Sequence, residues 1–145
     1  MFLPQQREWK MAKKENIKGL SQLGTKTKYP QSPDEAKLET FDNRYPKSNY
    51  WIRFQTSEFT SLCPITGQPD FATVTIEYIP GRKCIESKSL KLYLASFRNH
   101  GSFAESITNR IRDDIAKACR PKKLKVTTDF TARGGITMRV TASKD

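Results

Sequence analysis

Histidine is nearly absent from this chain, His100 being the one example in 145 residues. A metal site built from imidazoles and thiolates therefore has few members to draw on, and the three cysteines, Cys63, Cys84 and Cys119, form no CxxC pair. Their odd number and irregular spacing argue against a secreted disulfide scaffold and leave free thiols as the default. Long apolar runs are missing too. No stretch approaches the ~20 apolar residues of a membrane span, and the N-terminus lacks the apolar core of a signal peptide. These absences predict a soluble, cytoplasmic protein with no resident metal. Acidic residues are scarce, 15 against 26 Lys and Arg, for a net charge of +11. Such an excess suits a polyanion such as RNA. Much of it, however, lies in the first thirty residues and in Lys122, Lys123 and Lys125, where a solvated surface or arm explains it more simply.

The length fits one domain and some tail. Residues 1–42 are polar, lysine-rich and punctuated by Gly19, Gly24, Pro30 and Pro33, which predicts a basic flexible arm, with a single domain over 43–145. Residues 49–56 alternate Tyr50, Ile52 and Phe54 with polar neighbours, and residues 71–79 set Val74, Ile76 and Tyr78 against Thr73, Thr75 and Glu77. Both are strand patterns. The period then changes. Residues 87–97 carry Leu90, Tyr93, Leu94 and Phe97 at helical spacing, and Ser102 is placed to cap a second helix with the stripe Phe103, Ile107, Ile111 and Ile115, closed by Pro121. Residues 124–130 and 136–140 alternate again around Arg133-Gly134-Gly135 and predict a hairpin. The order strand, strand, helix, helix, strand, strand predicts an α+β fold, an antiparallel four-stranded sheet with both helices on one face. Two open sheet edges make assembly with other subunits a natural outcome.

Cys63 opens the run Cys63-Pro64-Ile65-Thr66-Gly67-Gln68-Pro69-Asp70. A free cysteine is commonly a small buried hydrophobe. Here, prolines and a glycine shape a turn that can carry the thiol toward Asp70, and a thiolate nucleophile needs such a proton donor or acceptor. An aspartate in a turn is ordinarily a cap. The second phrase is Glu86-Ser87-Lys88-Ser89-Leu90-Lys91-Leu92-Tyr93. At a helix start it gathers a carboxylate, a hydroxyl and two lysines sharing one face, suited to an anion or simply to a capped, solvated helix. Arg133 offers planar recognition of phosphate or merely flanks a bend. Glu105 either complements the second helix's dipole or accepts paired hydrogen bonds from an amidine-like edge.

Residues 59–135 resemble the NADPH-dependent 7-cyano-7-deazaguanine reductases, the short, single-module nitrile reductases of queuosine biosynthesis. Phe59-Thr60-Ser61-Leu62-Cys63-Pro64, Gly67-Gln68-Pro69-Asp70, the Glu86 phrase, Ser96-Phe97-Arg98 and Arg133-Gly134-Gly135 stand in that family's order and spacing. The resemblance implies a tunnelling fold, subunits arranged in a ring, two pentameric rings paired as a decamer, and active sites between subunits. It implies reduction of the nitrile of 7-cyano-7-deazaguanine to the primary amine in tRNA queuosine biosynthesis, with NADPH as co-substrate and no direct tRNA binding required. In that scheme Cys63 forms a covalent thioimide and Asp70 moves protons; Glu86, Ser87 and Glu105 bind the substrate; Lys88, Lys91 and Arg133 hold the cofactor's phosphates. The Glu86 phrase separates these reductases from the GTP cyclohydrolases of the same fold. One residue departs from the pattern. Ala104 stands where the family usually has histidine, so a hydrogen bond or proton relay is lost at that position. A basic, non-catalytic RNA-binding module and a metal-dependent cyclohydrolase are the competing readings.

Overall fold

The structure is a computed structural model and describes residues 15–24 and 28–145. The basic arm expected over 1–42 lies partly outside these residues. Alternating side chains build the main sheet. Its strands are β2 (Ile52–Leu62), β3 (Pro69–Ile79), β5 (Lys123–Arg133) and β6 (Ile136–Lys144), ordered β2-β3-β5-β6 and antiparallel throughout. A second, two-stranded sheet pairs β1 (Thr40–Asp42) with β4 (Lys83–Ile85). Between β4 and β5 run α1 (Ser87–Ala95), a 3-10 turn (Ser96–Asn99) and α2 (Ala104–Cys119). The α+β order read from sequence is present.

Register explains which side is covered. Tyr78 pairs with Leu124, Ile76 with Val126 and Val74 with Thr128, so these residues share one face. Leu90 and Tyr93 of α1 and Ile107, Ile111 and Ile115 of α2 pack against that face in a single buried cluster. Thr108 and Thr128 are the polar exception. Thr108 Oγ1 donates to the Ala104 carbonyl at 2.7 Å, leaving Thr128 to donate to Thr108 across another 2.7 Å. This buried chain pins the first turn of α2 to β5. The opposite face is polar, with Gln55 donating to Thr75 at 3.0 Å and Thr127 beside Thr141.

Two elements differ from the pattern reading. β2 runs to Leu62, well past Thr56, because a bulge between Thr56 and Phe59 inserts an extra residue and resets the alternation. After it Phe59 and Ser61 point inward, both buried. Ser102 does not cap α2. Its N–H donates to the Leu62 carbonyl at 3.2 Å, and the N-cap falls on Phe103, which offers no side-chain hydrogen bond. The Leu62 N–H in turn donates to the His100 carbonyl at 3.1 Å. The loop before α2 is thus sewn to the end of β2.

Candidate active site

The β2–β3 connection is a hairpin, Leu62 pairing with Pro69 and Ser61 with Asp70. Its loop is closed by the Cys63 N–H on the Gln68 carbonyl at 2.8 Å and the Gly67 N–H on the Cys63 carbonyl at 3.0 Å. Gly67 takes φ +71, which a β-carbon would strain. The expected cysteine turn between two strands is therefore present, with Cys63 partly exposed at its start. Asp70 is the second residue of β3 and the more buried partner of an ion pair, its Oδ1 2.5 Å from Arg133 Nη2.

Arg133 reaches Asp70 from the other hairpin. Arg133 and Ile136 pair across Gly134 and Gly135, at φ +56 and +77, the two positive angles of a twist-matched two-residue turn. A shift in register between Phe130 and Arg133 turns the end of β5 relative to the sheet. The result is a cleft of about 360 Å³ whose lining includes Cys63, Asp70, Ala104, Glu105 and Arg133, with Phe103, Ile136 and Met138 as apolar wall. Those three apolar side chains are 58%, 75% and 41% exposed, so the wall is open to solvent in the single chain.

The thiol is poised for chemistry. Hydrogen bonds from the Thr66 hydroxyl, then from the Thr66 and Ile65 amides, with a smaller one from Arg133, hold its pKa down to about 7 against the effect of burial. A thiol held down in this way ionises more readily than a free cysteine. The other two cysteines differ. Burial pushes Cys84 up and Cys119 up to about 12, which leaves both protonated and inert.

The eight residues singled out in the sequence fall into two places. Cys63, Asp70, Glu105 and Arg133 share the cleft. Glu86, Ser87, Lys88 and Lys91 stand at α1. Glu86 is buried and caps that helix, accepting from the Lys88 and Ser89 amides at 2.7 and 2.8 Å. Ser87 and Lys91 line a groove of about 140 Å³, which adjoins another of about 350 Å³ bordered by Lys91, Arg98 and Tyr29. Lys88 Nζ donates to the Gln22 carbonyl at 2.5 Å. His100 is outside the Cys63 cleft and packs edge-on against the Phe97 ring at 5.6 Å. It therefore does not fill the position of the histidine that Ala104 replaces.

Two helices on one face of an antiparallel four-stranded sheet, with a thiol, a carboxylate and a guanidinium gathered at its hairpin ends, form the architecture of a tunnelling-fold protein. The QueF-like protein family model matches residues 69–145. Relatives named NADPH-dependent 7-cyano-7-deazaguanine reductase are 58% identical in Bacteroides thetaiotaomicron, over 82% of this chain and 79% of that protein, and 54% identical in Porphyromonas gingivalis, over 86% and 81%. The crystal structure of the archaeosine synthase QueF-Like in the apo form aligns with TM-score 0.62 at 26% identity, over 66% of this chain and 94% of that one. The chain belongs to the QueF-like family.

Proposed function

We propose that this protein reduces the nitrile of 7-cyano-7-deazaguanine to the aminomethyl group, using NADPH, with Cys63 as the nucleophile. The observation that carries the reading is an activated Cys63 in one cleft with Asp70. Curated relatives at 54% identity and above bear the reductase name, which favours it over a non-catalytic RNA-binding module or a metal-dependent cyclohydrolase.

Cys63 Sγ adds to the nitrile carbon, one carbon–nitrogen π pair moves to nitrogen, and Asp70 passes the proton it took from the thiol to that nitrogen. The product is a thioimide on Cys63. Capture divides a four-electron reduction into separate two-electron stages. NADPH, when bound, supplies hydride. Lys91 borders the groove beside α1 and Lys88 stands three residues earlier on the same helix face, its Nζ on the Gln22 carbonyl; their charge fits the phosphates of that cofactor. Arg133, 46% exposed beside Asp70, is assigned to the same phosphates. Glu105 would accept from the guanine-like edge of the substrate, and Glu86 and Ser87 would complete its recognition. Because these last residues sit away from Cys63 within one chain, the proposal includes a ring of subunits, two pentamers forming a decamer, with each site shared between neighbours. Open strand edges at β2 and β6 support it. A cytoplasmic location agrees with the absence, among the described residues, of any helix long and apolar enough to cross a membrane.

The test is the intact mass of the protein mixed with the nitrile but without NADPH. A gain equal to the substrate mass is expected, and Cys63→Ala should show none. An unchanged mass in the wild type, or a full adduct in the variant, would sink the assignment.

A further inference from the structure

Arg133 has a carboxylate as its partner within the chain, and that carboxylate is Asp70, with Oδ1 and Nη2 2.5 Å apart. The Asp70 backbone is fixed by other means. It pairs with Ser61 in the β2–β3 ladder, and its carbonyl accepts from the Thr60 hydroxyl at 2.8 Å. Its carboxylate has no such support. Among the described residues it makes no other ion pair and accepts no hydrogen bond, so one contact sets where its oxygens point. Arg133 arrives from a distant part of the chain. It is the last residue of β5, carried out of the regular ladder by the register shift after Phe130 and followed at once by the Gly134-Gly135 turn. Both partners line the cleft that holds Cys63 and Glu105. Arg139 and Asp129, on the same hairpin, provide the contrast. Their Nε and Oδ1 lie 2.6 Å apart, but both side chains are more exposed and neither lines the cleft, as in an ordinary surface pair.

We propose that Arg133 is a positioning residue for Asp70, its guanidinium fixing the carboxylate within the Cys63 cleft for the proton transfers of nitrile capture. Capture precedes hydride transfer and needs no cofactor, so this role is separate from any contact of Arg133 with phosphate. The inference rests on the reading of Cys63 as nucleophile and Asp70 as its proton carrier.

Its test is the rate of adduct formation with 7-cyano-7-deazaguanine in the absence of NADPH. The rate is followed by intact mass in the wild type, Arg133→Met, Arg133→Lys, Asp70→Asn, the Arg133→Met/Asp70→Asn double variant and Arg139→Met. Arg133→Met should form the adduct at least about tenfold more slowly, the scale of a misplaced proton-transfer group. In the Asp70→Asn background the same change should cost little further, because the residue it acts through is already gone. Arg133→Lys retains the positive charge without the planar fork and should recover part of the loss. Arg139→Met breaks only the exposed pair and should keep the wild-type rate. A wild-type rate in Arg133→Met, with only the KM for NADPH raised, would overturn the proposal, as would a full further loss in the double variant or an equal loss in Arg139→Met. No adduct in the wild type, or an undiminished rate in Asp70→Asn, would strike the reading of the site and this inference with it, so the two failures are told apart.

Discussion

Ala104 is where a single side chain most alters expectation. It lines the Cys63 cleft beside Glu105, and alanine neither donates a hydrogen bond nor carries a proton. His100, four residues earlier, is turned onto Phe97, where burial and the positive charge of Arg110 lower its pKa. Ala104→His should therefore raise turnover of the nitrile about tenfold or more, the scale of a positioned proton donor. Equal steady-state rates would show that the cleft manages without one. The chemistry-bearing residues were legible because types and spacing are local: a cysteine between prolines and glycine, an arginine before two glycines. Their pairing was not. That Arg133 meets Asp70 depends on a shift in register at the end of β5, which no single-residue preference encodes.

The segment before β2 shows how elements depend on buried polar contacts. Glu39 is 4% exposed, immediately before β1, and its carbonyl accepts from the Glu86 N–H at 2.9 Å. Its carboxylate takes hydrogen bonds from the Ser21 amide at 3.1 Å, the Ser21 hydroxyl and the Gln22 amide. Burial opposes its ionisation, yet these donors outweigh burial and hold the carboxyl below its ordinary value. A depressed folded pKa means the stabilisation is complete above the unfolded value near 4.5 and is lost as pH falls through the folded one. The protection of the amides of residues 16–24 against exchange, relative to an unfolded chain at the same pH, should accordingly fall as the pH is lowered through the folded pKa of Glu39, below 4.5. Glu39→Gln should cost about 1–2 kcal/mol at pH 7 by urea unfolding and flatten that acid dependence, whereas identical melts would deny the carboxylate this role. Alternation and the helical stripe revealed the main strands and both helices. β1 and β4 escaped notice because three-residue strands carry no period, and the end of β2 because a bulge broke its phase.

The whole molecule divides the proposed site in two. Cys63, Asp70, Glu105 and Arg133 converge at the hairpin ends, while Ser87 and Lys91 border grooves along α1. Around the cleft Ile65, Phe103 and Ile136 are 80%, 58% and 75% exposed, an apolar rim open to a neighbouring subunit in the proposed ring. Co-expression of Cys63→Ala with Lys88→Ala/Lys91→Ala should yield mixed oligomers with activity that neither parent has, because some sites would draw intact residues from two chains. Activity no greater than that of the parents would show that each chain works alone.

The sequence by itself determined the order of strands and helices, the cysteine turn and the kinship with the reductases, because side-chain period, turn chemistry and motif spacing are properties of neighbouring residues. Tertiary structure alone decided that Arg133 binds Asp70, that the loop before α2 is sewn to the end of β2 and that the Glu86 phrase lies apart from Cys63. Those outcomes follow from strand register, from bulges and from where one buried helix face must sit on a sheet, none of which is set by residues adjacent in the chain.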